Sequence, residues 1–195
     1  FVGEGAGAND DLTTNQNVFV GYRAGFSNTI GYYNTANGVQ ALQANITGGG
    51  NTANGMNALY SNTEGSSNTA NGWTALYSNT TGLSNTANGF AALYSNVAGN
   101  NATAIGYNAM RYANNDATAF QNFNVAVGYD ALRGSTTPSA NTGNLNTALG
   151  YATLQANSTG GGNTANGVNA LRFNTTGNTN TALGYDAGST VTTGS

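Results

Sequence analysis

Apolar and polar positions alternate along this chain in a phrase that returns every 17 residues. The phrase is Asn-x-Ala-x-Gly, followed three residues later by Ala and then by an aliphatic residue. Its glycines are Gly21, Gly38, Gly55, Gly72, Gly89 and Gly106, then Gly128 and Gly150 after steps of 22, then Gly167 and Gly184 after steps of 17. A fixed period of this size is the mark of a repeat architecture. Stretches such as Asn51-Thr52-Ala53-Asn54-Gly55 and Met56-Asn57-Ala58-Leu59-Tyr60 keep partial period-2 alternation and predict short strands. Helix is disfavoured, because Asn, Thr and Gly recur where helix formers would be needed. The two longer steps carry five-residue insertions, within 113–123 and 134–145, and the following coils stay in phase, so the extra residues belong in surface loops. The expected fold is all-β: a parallel β-solenoid of about eleven 17-residue coils, two with 5-residue loop insertions, in one domain over residues 1–195.

Other columns keep the same phase. Asn recurs four residues before the glycine (Asn34, Asn51, Asn68) and seven after it (Asn45, Asn62, Asn79), with a second glycine three residues later (Gly48, Gly65, Gly82). Gly and Asn tolerate positive φ, so these two points predict two turns per coil. Stacked coils place identical side chains about 4.8 Å apart, which turns Asn columns into hydrogen-bonded ladders. The Ala column (Ala41, Ala58, Ala75) lets the faces of a thin coil approach. Phe1-Val2-Gly3 matches Phe19-Val20-Gly21, so the chain reads as opening mid-coil, as a segment of a longer fibre or filament.

Composition removes several chemistries. There are 34 Asn and 29 Gly, and only 6% of residues are charged. Without Cys there is no disulfide or thiolate, and without His the usual general base and the commonest metal ligand are missing. Four arginines against a net charge of −3 argue against nucleic-acid binding. No apolar run is long enough to span a membrane, so no insertion by this segment is expected. No cofactor is expected. The seven acidic residues are scattered and match no calcium repeat; Asp130 and Arg133 read as a surface pair of little energetic weight. An enzyme is not expected.

The phrase, as in Asn146-Thr147-Ala148-Leu149-Gly150-Tyr151 and Ala102-Thr103-Ala104-Ile105-Gly106-Tyr107-Asn108-Ala109, resembles the head repeats of YadA-like trimeric autotransporter adhesins and related phage tail-fibre repeats. The resemblance implies a left-handed parallel β-roll, commonly trimeric, acting as an adhesive head or fibre segment. The expected role is therefore an extracellular structural and adhesive fibre segment, on a cell surface or a phage virion. Expected partners are copies of itself, as a homotrimer or end-to-end filament, and a carbohydrate or host-surface receptor.

Three candidate surfaces follow from the columns. Tyr60, Tyr77 and Tyr94 share one column, and Trp73 and Phe90 open another that continues with Tyr107, Tyr129 and Tyr151. One column would be core and the other would pack against a partner subunit, or, if exposed, a column would stack on sugar rings; packing is the favoured reading. Asn45, Asn79, Asn101, Asn157 and Asn174 head Asn-x-Ser/Thr triplets and are candidate glycan-attachment sites. Four of them fall in the turn column, which also carries Asn62 and Asn96 without a triplet, so the turn accounts for the residue without a glycan. Thr52 and Asn54, Thr69 and Asn71, and Thr86 and Asn88 form a Thr-x-Asn array that suggests an alternative role, ice binding.

Overall fold

A computed structural model describes residues 2–11 and 15–194. Phe1, with which the sequence opens its first coil, and Ser195 lie outside the described residues. The chain forms a parallel β-solenoid with one short strand per coil. These are β1 (Val18–Val20), β2 (Thr35–Asn37), β3 (Thr52–Asn54), β4 (Thr69–Asn71), β5 (Thr86–Asn88), β7 (Thr103–Ile105), β9 (Val125–Val127), β10 (Thr147–Leu149), β11 (Thr164–Asn166) and β12 (Thr181–Leu183). They join in that order into one 10-stranded parallel sheet. Register follows the repeat, with Ala53 opposite Ala70 and, across a longer step, Ala104 opposite Ala126. An isolated parallel bridge between Val2 and Val20 adds an eleventh rung.

Three residues suffice for each strand because its central side chain is all the sheet needs to bury. Ala36, Ala53, Ala70 and their successors are wholly buried, while the flanking Thr and Asn point outward. A second alanine column (Ala41, Ala58, Ala75, Ala92) and the leucines next to it fill the rest of the interior. Small residues on both walls keep the coil thin.

The leucines occupy an unusual backbone region. Leu42, Leu59, Leu76, Leu93, Leu132, Leu154 and Leu171 all have φ between 48° and 54°, as does Met110 at 49°. Left-handed backbone costs a non-glycine residue about 1–2 kcal/mol. Burying a leucine contributes about 1.5–3 kcal/mol, so the column is affordable where the side chain is fully enclosed. The glycine of the phrase is required twice over: Gly38 has φ 144°, and a Cβ there would sit 2.6 Å from the carbonyl oxygen of Gly55.

The second turn differs from the sequence expectation. Asn45 and Asn62 do not take positive φ, and neither do Gly48 and Gly65. Glycine is needed there for closeness, since a Cβ on Gly48 would meet the Gly65 carbonyl oxygen and Asn45 Oδ1. Two asparagines converge on each such carbonyl: Gly48 O accepts from Asn34 Nδ2 at 2.8 Å and Asn45 Nδ2 at 2.9 Å. Each asparagine also reaches the neighbouring coil. Asn62 Nδ2 donates to Asn45 Oδ1 at 2.8 Å, and Asn51 N donates to Asn34 Oδ1 at 2.9 Å. The expected Asn ladders are thus present and buried.

The insertions leave the stack at this same corner, on consecutive coils. The first insertion contains β8 (Phe120–Gln121), which pairs in parallel with β6 (Gly99–Asn100) of the coil before it, and the second contains a 3-10 turn at Pro138–Ala140. Asn141 in the second insertion donates to the Tyr112 carbonyl in the preceding coil, tying the two together.

Candidate functional site

Neither aromatic column enters the core; both lie at the surface. Tyr60, Tyr77 and Tyr94 are half-buried and stacked, with centroids 5.1 Å apart and planes within 5°. Trp73 meets Phe90 edge-on at 5.5 Å. Phe90, Tyr107, Tyr129 and Tyr151 then stack in sequence at 4.8–5.3 Å. Rings in such offset stacks turn much of their faces toward one another and present mainly edges and hydroxyls to solvent. Sugar stacking therefore has less ring face available than the columns alone suggest. Partial burial and the neighbouring phenols Tyr94 and Tyr60 raise the pKa of Tyr77. The Asp130 carboxylate is the main cause of the raised pKa of Tyr129.

The Tyr60 column continues into charge, a feature the sequence reading missed although its phase was visible. The equivalent positions in later coils are Arg111, Arg133, Gln155 and Arg172. The Arg111 guanidinium lies 5.8 Å from the Tyr94 ring centroid, extending the stack by a cation–π contact. Asp130 sits behind this row and is only 5% exposed. Its carboxylate accepts from Asn108 Nδ2 at 3.1 Å, Arg133 Nη1 at 3.1 Å and Gln155 Nε2 at 2.8 Å. Asp130 and Arg133 thus form the centre of a part-buried network, where the sequence suggested an incidental surface pair.

The candidate glycan sites divide by burial. Asn45, Asn79 and Asn174 are fully enclosed and Asn157 is 3% exposed, each with its Nδ2 donating to a glycine carbonyl inside the stack. Asn101 is exposed, in left-handed backbone at φ 67°, and donates to Gln121 Oε1. The Thr-x-Asn array runs in register along β2 to β5, and Asn54 Nδ2 donates to Asn71 Oδ1 at 2.9 Å.

The repeat is broken at one corner, and a cleft opens there between the two insertions. Core residues Met110, Ala113 and Leu132 line it together with Phe120, Asn122, Asn124 and Asn157. Among the described residues no group of three or more His, Cys, Asp or Glu side chains is placed to hold a metal ion, and no helix is long and apolar enough to cross a membrane. Compared with protein-family models, curated proteins and solved structures, the chain matches none.

Proposed function

We propose that this chain is a non-catalytic structural and adhesive fibre segment, working outside the cell on a cell surface or phage virion, and that it associates with copies of itself. One observation carries the reading. The position after each phrase glycine holds a large apolar side chain in every coil from Tyr22 to Tyr185, and all of these except the half-buried Phe90 are 38–77% exposed. A continuous apolar row of that kind on a surface with so few charges is what an association interface looks like. The row runs along the stack, which favours lateral association of solenoids, as in a homotrimer, over contact through other faces. The adhesive role, toward a carbohydrate or host-surface receptor, rests on the resemblance of the phrase to YadA-like heads.

The in-register Thr-x-Asn array favours a second reading, an ice-ordering face, which thermal hysteresis in the purified protein tests. Cryo-electron microscopy of the purified chain tests the first. Lateral bundles of two or more solenoids support it, and single isolated solenoids at high concentration count against it.

A further inference from the structure

The cleft between the insertions carries unspent hydrogen-bond donors. In the regular coils each turn asparagine uses both hydrogens of its Nδ2. Asn62, for example, donates to Asn45 Oδ1 and to the Gly65 carbonyl. Asn157 keeps only the second of these bonds, to Gly160 O at 2.9 Å, because the preceding coil has Ser135 where an asparagine would stand. Its other N–H is left over, on a side chain 3% exposed that lines the cleft. Asn122 is similar. It is 4% exposed, its Oδ1 accepts from Asn124 Nδ2 at 2.6 Å, and among the described residues its own Nδ2 has no partner. An amide nitrogen carries two donors, and buried ones are rarely left idle.

The lining also includes apolar Met110, Ala113, Phe120 and Leu132, and no charged residue is part of it. The space that admits a water-sized atom amounts to about 30 Å³. At ~10–15 Å³ per water that is room for two or three waters, on the order of the bulk of a four-atom acetamido group. A group that fits must be uncharged, small, able to accept hydrogen bonds at one end and apolar at the other. The acetamido group has that form, with a carbonyl oxygen to accept from the Asn122 and Asn157 donors and a methyl for the apolar part of the lining. We infer that the cleft between the two insertions is a recognition site for N-acetylated sugars, seating the acetamido group while the rest of the glycan lies over the exposed loops. The site stands apart from the self-association reading, since a solenoid that stayed single would still hold the cleft.

Isothermal titration calorimetry of the chain with N,N′,N″-triacetylchitotriose, and with cellotriose as the matched trisaccharide lacking acetamido groups, tests the inference. The acetylated trisaccharide is expected to bind at least about tenfold more tightly than cellotriose. Ala113→Leu, which fills the cleft, is expected to weaken it by a similar factor with the circular dichroism spectrum unchanged. Should that variant fail to fold, Asn122→Ser removes one of the unspent donors and is expected to weaken binding in the same direction. No binding, equal binding of the two trisaccharides, or binding unchanged in both variants would overturn the assignment.

Discussion

Phe19 and Gly25 are a matched exchange of volume. In every coil from Gly38 to Gly167 the residue two before the glycine is Ala and the residue four after it is Leu or Met. The coil of Gly21 reverses this, with Phe19 in the alanine column and Gly25, at φ 57°, in the leucine column. Two ring carbons of Phe19 lie 2.5 Å from where a Gly25 Cβ would be, so the ring fills the space the missing leucine vacates. Phe19→Ala is expected to cost about 3–5 kcal/mol by leaving a cavity. Gly25→Leu alone is expected to destabilise by overpacking. The double variant recreates the standard coil, and a double-mutant cycle in urea should show it markedly more stable than the sum of the singles.

The turn ladder makes a graded prediction. Asn62 donates to Asn45 Oδ1 and Gly65 O and accepts from Asn79 Nδ2. Asn96 donates to Asn79 Oδ1 and Gly99 O, but its own Oδ1 is buried without a partner because the next coil has Ala113 there. Asn62→Ala therefore orphans a donor that Asn96→Ala does not. The first is expected to lower stability by about 1–3 kcal/mol more than the second, read from urea midpoints.

Alkaline pH should loosen the stack partly through its tyrosines. The Tyr77 phenol is held above its ordinary 10.0, mainly by burial and then by Tyr94 and Tyr60. With the folded pKa above the unfolded one, the stability it contributes is complete below the unfolded value and is lost as pH rises through the folded one. Urea midpoints should fall above pH 10, and Tyr77→Phe should make the fall shallower.

Burial also predicts which of the five Asn-x-Ser/Thr triplets is available once the chain has folded. Intact mass of protein secreted from a glycosylating host is expected to show at most one N-glycan, abolished by Asn101→Gln. Occupancy at Asn45 or Asn79 would contradict the enclosed ladder.

Much of this was legible in the sequence because a solenoid repeats its physics: the period, the phase of both insertions, the parallel stacking and the Asn ladders follow from the columns alone. What was not legible depends on conformation. Leucine is a poor sign of positive φ, so the left-handed Leu42 column was invisible, and the turn was assigned to Asn and Gly residues that keep negative φ. The Arg133–Asp130–Gln155 network and the cleft at Asn157 arise where the repeat stops repeating. Column reading gives its weakest signal at such places.

The exposed row from Tyr22 to Tyr185 is the proposed interface between copies of this chain. Sedimentation velocity across a range of concentrations tests it most directly, comparing the parent chain with a variant carrying Trp73→Glu and Tyr107→Glu. The parent is expected to sediment as multiples of its 19.6 kDa mass and the variant as a folded monomer. A parent chain that stays monomeric at every concentration, or a variant that assembles as the parent does, would contradict it.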